Sequence, residues 1–272
     1  MWLMVLFLGL SAVGQPLPTG AKDWYSLGLA QFSQRDFKAA KASFERAISL
    51  DNRFADAYKG RGLAQLELQD YDGAYHSWIE ASELNPKDAK TKYYLGRVFY
   101  EADFPNEAAA WLRQCLELTP KDYAAMTYLG LSAEALSYDD VAEKLYENAI
   151  FESRAAHAPY SWAFLSLGKL LQKRGENDKA LSILEQGERQ CPEAHELVAL
   201  GHLLASQNQQ TRAEQVLKRA IQMDPGLAEA HYRLALLFQT QGKKAEADRE
   251  MSLFQKVKAE EKQTPKILAL RK

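Results

Sequence analysis

The sequence predicts an all-α solenoid built from about seven copies of one helix-turn-helix unit. Two columns of small residues carry the reading. Gly28, Gly62, Gly96 and Gly130 recur every 34 residues, and Ala40, Ala74, Ala108 and Ala142 keep the same spacing. Beyond them both columns shift together, by 38, 33 and 34 residues, through Gly168, Gly201 and Ala235 and through Ala180, Ala213 and Ala247. Columns that share one insertion and one deletion have a common register, and a period of this length marks a repeat architecture. A third observation gives the class: strand-like alternation and long Val/Ile runs are missing, while apolar residues recur at helical spacing.

The units run over residues 21–54, 55–88, 89–122, 123–156, 161–193, 194–227 and 228–261. In the first, Trp24, Leu27, Gly28 and Phe32 form one helical stripe, and Phe37, Ala40, Phe44, Ala47 and Ile48 form a second. Ser33-Gln34-Arg35-Asp36 is the polar turn between them, and the second helix ends before Asp51-Asn52. Later units stop at Asn85-Pro86, Thr119-Pro120, Cys191-Pro192 and Asp224-Pro225. Proline lacks the amide proton and biases its predecessor away from helix. In the fourth unit Arg154 stands where a proline is usual, just before the extra residues near Ala155 to Tyr160. Glycine or alanine on facing helices lets two backbones approach closely, and the larger Leu, Phe and Trp fill the layers between. After residue 261, Pro265 breaks the last helix and residues 262–272 form a short basic tail.

These residues resemble the tetratricopeptide repeat, whose signature is Trp-x2-Leu-Gly-x2-Tyr, then Ala-x3-Phe, then Pro. The first unit matches at Trp24, Leu27, Gly28, Ala40 and Phe44; the second at Tyr58, Gly62, Ala74, Trp78, Ala81 and Pro86; the third at Leu95, Gly96, Phe99, Ala108, Leu112, Cys115 and Pro120. Departures are Gln31 for the first tyrosine, Arg61 for a leucine, and Ala235 for the last glycine. The resemblance implies a right-handed superhelix whose concave wall comes from the first helix of each unit, and a protein- or peptide-binding scaffold. Family members that clamp a C-terminal carboxylate need Lys, Asn and Arg where this chain has Tyr25, Leu29, Gly60 and Tyr94, with Lys90 the single match.

Composition agrees. Hydrophobic residues make up 47% of the chain, enough for extensive burial, and the net charge of −2 gives no reason to expect nucleic acid as a partner. No catalytic constellation or cofactor motif stands out, so no enzyme, metal or cofactor is expected. His195-Glu196 opens like a zinc-protease helix, but Ala199 stands where the second histidine is needed, and His202 is two turns away. Trp2 to Val13 is almost wholly apolar and too short to span a bilayer as a helix. Ala12-Val13-Gly14 has the small-x-small form of a signal-peptidase site. Residues 1–20 are therefore expected to export the chain to the periplasm or outside the cell, with an uncleaved membrane tether as the alternative. Cys115 fills the small column of Ala47, Ala81 and Ala149; Cys191 lies two units on, so no disulfide is expected.

For the site, Lys90, Tyr93, Arg97 and Tyr100 follow at offsets that put them on one exposed helix face, away from Leu95 and Phe99. In the family's geometry that face is the concave wall. Lys59 is expected beside it, and Trp162, Lys169 and Lys173 continue it in the fifth unit. Cations and rings together suit an acidic or carboxylate-bearing extended peptide. The alternative is an assembly component of an envelope complex that uses its ends or convex face.

Overall fold

The computed structural model describes residues 19–261. The expected signal or anchor and the basic tail lie outside the described residues, apart from Thr19 and Gly20. The chain divides into a first compact unit up to Thr91 and a second from Lys92 onward.

In the first unit, α1 (Ala21–Ser33) packs on α2 (Phe37–Leu50), and α3 (Ala55–Glu67) on α4 (Tyr71–Leu84). Then α5 (Ala89–Glu101) begins at its end and lies mostly in the second unit. There follow α6 (Pro105–Leu118), α7 (Tyr123–Ala135), α8 (Asp139–Ala155), α9 (Ser161–Lys173) and α10 (Asn177–Gln190). The last four are α11 (Ala194–Ser206), α12 (Gln210–Met223), α13 (Ala228–Thr240) and α14 (Lys244–Glu261). Among the described residues these fourteen helices are the regular structure, with no strand. The insertion lengthens α8 to 17 residues and ends with His157 in the left-handed region, φ 52°.

The glycine column has a more specific purpose than close backbone approach. Each glycine receives the large side chain sixteen residues on: Phe44 at Gly28, Trp78 at Gly62, Leu112 at Gly96, Tyr146 at Gly130, Leu184 at Gly168 and Leu217 at Gly201. These six side chains are fully buried. Phe44 is held from two sides, because β-carbons at Gly28 and at Gly60 would each lie 2.7 Å from its Cε1. The alanine column, Ala40 to Ala247, is buried throughout.

A third column appears in the turns. Arg35, Gln69, Asp103, Ser137, Gly175, Asn208 and Gly242 all have positive φ, between 61° and 79°. Each ends a helix in a Schellman-type cap. At the first, the Asp36 amide donates to the Gln31 carbonyl, and the same bond recurs from Asp70 to Gln65, Phe104 to Phe99 and Tyr138 to Ala133. In the first two turns the following residue caps the next helix: the Asp36 carboxylate accepts from the Ala39 amide and that of Asp70 from the Gly73 amide.

Two departures from the signature have a polar explanation. Ser43 Oγ donates to Gln31 Oε1 at 2.6 Å, and Ser77 Oγ donates to Gln65 Oε1 at 2.5 Å. Arg61 Nε donates to Ser77 Oγ at 2.8 Å. In both pairs of the first unit a hydrogen bond replaces an apolar contact between the two helices. No disulfide joins Cys115, in the core, to the half-buried Cys191.

Candidate functional site

The eight residues singled out by sequence differ in exposure and in what they touch. In the first unit Lys90 is exposed, but Lys59 is committed. Its Nζ lies 2.8 Å from both Asp56 Oδ1 and Asp88 Oδ2, and Thr91 Oγ1 also donates to Asp88 at 2.8 Å. Burial pushes the Lys59 ammonium down, but hydrogen bonds to the two carboxylates outweigh it and leave its pKa raised. Lys59 is therefore a structural tie rather than an open cation.

In the second unit, Tyr93, Arg97 and Tyr100 of α5 converge on Tyr128 of α7. The rings of Tyr93 and Tyr100 meet that of Tyr128 edge-on, with centroids 5.9 and 5.8 Å away. The Arg97 guanidinium lies 5.9 Å over the same ring. Tyr128 is only 8% exposed. Burial raises the phenol pKa of Tyr93, Tyr100 and Tyr128. The expectation that Tyr93 and Arg97 are exposed is corrected here: both are half-buried, and Arg97 Nε is enclosed without a hydrogen-bond partner among the described residues. Their helix face is covered because α7 presents Tyr128 to it.

Tyr100, Trp162, Lys169 and Lys173 do come together. They line a cavity of about 460 Å³ with Glu101, Tyr128, Leu131, Glu134, Leu165 and Ser166, between α5, α7 and α9. Trp162 is 47% exposed. Lys173 is already paired, 3.2 Å from Asp139 and 3.9 Å from Glu134. Glu134 also accepts from the buried Tyr146 hydroxyl at 3.1 Å. Lys169 is exposed and carries no ion pair among the described residues, which makes it the open cation of the cavity. Sequence reasoning missed Leu131 and Glu134. They occupy in the fourth unit the register of Arg97 and Tyr100, so carrying the face forward one period would have found them. Tyr128 had no such signal, because it lies in the column of Gly60 and Tyr94.

A second cavity of about 270 Å³ shares Trp162 and Leu165 with the first and adds Tyr160, Cys191, Glu193, His195 and Glu196. The Trp162 and His195 ring centroids are 6.3 Å apart. His202 does not join them: its Nδ1 contacts Gln172 Nε2 at 3.3 Å.

Models of the tetratricopeptide repeat match residues 25–89 and 201–242. The chain is a tetratricopeptide repeat protein. Superkiller complex protein 3 of Mus musculus is 25% identical over 240 residues, which is 85% of this chain but 15% of that protein. Anaphase-promoting complex subunit 3 of Schizosaccharomyces pombe is 25% identical over 227 residues, 75% of this chain and 32% of that one. The chain thus spans a small part of the relatives it matches. Among solved structures, the Pseudomonas aeruginosa pilF protein superposes with a TM-score of 0.65 at 19% identity, over 81% of this chain and 97% of that one. That likeness concerns the fold. As a tetratricopeptide repeat protein, the chain is a protein–protein interaction scaffold.

Proposed function

We propose that the scaffold binds an extended peptide segment along the cavity between α5, α7 and α9. The observation that carries this is the combination at one place of the exposed Trp162 ring, the apolar Leu131 and Leu165, and the unpaired Lys169. Flat aromatic and apolar surface takes side chains of an extended segment, and Lys169 takes a carboxylate through a charge-assisted hydrogen bond. Lys173 is held by Glu134 and Asp139, and Glu101 adds a further carboxylate to the lining, so Lys169 is the cation left to meet an acidic group. The partner's acidic character is thus a requirement at Lys169 alone. Export to the cell envelope is part of the proposal; the apolar run from Trp2 to Val13 and the Ala12-Val13-Gly14 pattern support it.

A second reading, assembly through the outer helices, has one observation in its favour. Along α8 and just before it, Tyr138, Val141 and Phe151 are 61, 52 and 66% exposed. A photo-crosslinking residue at position 169 or at position 151, in the native cell, separates the two. Adducts from 169 but not from 151 support the groove, and the reverse pattern replaces it with the outer face. Mass analysis of the same material locates the mature N-terminus; an intact Met1 on protein outside the membrane and envelope fractions would sink the export reading.

A further inference from the structure

Glu196 breaks the repeat. In its register the first unit has the exposed Asp23, with no unit before it to pack on, and the other units have Ala57, Thr91, Ala125, Ala163 and Ala230, which like Glu196 itself are 0% exposed. The column that faces it runs Ala47, Ala81, Cys115, Ala149, Gly187 and Ala220. The only glycine of that column stands against the only glutamate of the other. A β-carbon at Gly187 would lie 2.5 Å from Glu196 Cδ, so the missing methyl makes room for the carboxyl group. Both carboxyl oxygens are enclosed without a hydrogen-bond partner among the described residues. An unpartnered buried carboxylate is costly, and nothing in the packing of α10 on α11 calls for one.

Glu196 lines the cavity of about 270 Å³ next to the groove, whose walls include Tyr160, Trp162 and His195. This is smaller than the roughly 300–1,000 Å³ of sites for drug-sized ligands and suits one side chain. Rings beside a carboxylate favour a cation over other side chains, through the ring quadrupoles and a charge-assisted bond. We propose that this cavity takes the ammonium or guanidinium of a lysine or arginine side chain from the segment bound along the groove, with Glu196 as its counter-ion. The proposal rests on the groove reading for its occupant.

The surroundings support it. Burial, with Glu188 and Glu193 adding to it, pushes the Glu196 carboxyl up to about 8. Among the described residues no cation satisfies it. Arg154 of α8 is held by Gln186 and Gln190 of α10 at 2.8 and 3.0 Å and lies over the Phe164 ring. Arg219 of α12 is paired with Glu188 at 3.1 Å. Cys191, raised to about 11 by burial, stays a neutral thiol at physiological pH, and His195 stands against Trp162. An entering cation pairs with the carboxyl as Glu196 turns from the space at Gly187 toward the cavity; the protonated group then ionises, releases its proton to solvent and leaves a carboxylate paired with the ligand.

The test is calorimetric titration of the full chain at pH 7 with N-acetyl-arginine amide and N-acetyl-lysine amide, in two buffers of different ionisation enthalpy. The wild type is expected to release roughly one proton per probe bound. Glu196→Gln, with folding checked by circular dichroism, is expected to bind at least about tenfold more weakly and release none. Trp162→Ala, at a half-exposed position, is expected to weaken binding while leaving proton release intact. Binding without proton release, equal binding by Glu196→Gln, or no binding of either probe at millimolar concentration would each overturn the proposal. Neither probe needs the groove, whose own test is the crosslink from position 169, so the two readings fail separately.

Discussion

Leu112 occupies the space that a side chain at Gly96 would need: a β-carbon there would lie 2.5 Å from Leu112 Cγ and 3.2 Å from the Ala108 carbonyl oxygen. Leucine can change rotamer but the carbonyl cannot move without the helix. Gly96→Ala is expected to cost about 1–3 kcal/mol, and Gly96→Leu more. Leu112→Ala should cost about 2–5 kcal/mol alone. The double variant Gly96→Ala/Leu112→Ala should be less destabilised than the sum, because each change relieves the other. Denaturant unfolding measures all four proteins, and simple additivity would show that the two residues do not share this space.

The turn column gives a prediction of opposite sign. Arg35, Gln69, Asp103 and Ser137 hold a left-handed backbone that costs an L-residue about 1–2 kcal/mol, while glycine reaches it freely at some entropic cost in the unfolded chain. Gln69→Gly and Asp103→Gly should each stabilise by about 0.5–1 kcal/mol. Gly242→Ala should destabilise by a similar amount, since φ there is 73° although nothing crowds the site. Thermal melts of the three variants check the signs.

These two columns show what was legible and what was not. Gly28 to Gly201 was readable because only a small residue fits against Phe44, Trp78 or Leu217, and that constraint repeats with the unit. The left-handed column was not, because Arg, Gln, Asp and Ser carry no signature for positive φ; only Gly175, Asn208 and Gly242 hint at it. At the site, helical offsets put Tyr93 and Arg97 on one face, but whether that face meets solvent depends on Tyr128, 31 residues beyond Arg97. Lys59 looked open because its partner Asp88 lies 29 residues away. Glu196 is the one buried acid in a column that is otherwise small from the second unit onward, but Asp23 opens the same column and His195-Glu196 also fits half of a zinc motif that Ala199 leaves incomplete.

Glu196 also predicts how stability changes with pH when no ligand is present. Its carboxyl titrates near 8 in the folded chain, against 4.5 for an ordinary glutamate. Between those values the folded state holds a proton that the unfolded state has lost. Stability is therefore greatest below about pH 4.5 as far as this group is concerned and declines toward pH 8, by up to about 1.4 kcal/mol per pH unit. Glu196→Ala with Gly187→Ala restores the small residues of both columns and should remove that decline, making the variant more stable than wild type at pH 8. Urea unfolding at pH 5, 6.5 and 8 measures it, and parallel curves for the two proteins would count against a buried neutral carboxyl.

Tyr93 and Arg97 can be told apart from Trp162 and Lys169 by what their removal does. The first pair packs on Tyr128, 8% exposed, so Tyr93→Ala/Arg97→Ala strips rings and a guanidinium from a covered surface. It is expected to lose about 2–4 kcal/mol of stability, in the range of buried aromatic truncations. The second pair is solvent-facing: Trp162 is 47% exposed and Lys169 has no ion pair among the described residues. Trp162→Ala/Lys169→Ala should stay within about 1 kcal/mol of wild type, as surface changes usually do. Yet it should lose the ligand that crosslinks to position 169. Comparing unfolding midpoints with retention of that ligand gives the answer. If the Trp162/Lys169 variant keeps its ligand at wild-type level while remaining folded, the cavity between α5, α7 and α9 is not where the partner lies, and the exposed side chains of Tyr138, Val141 and Phe151 become the surface to test.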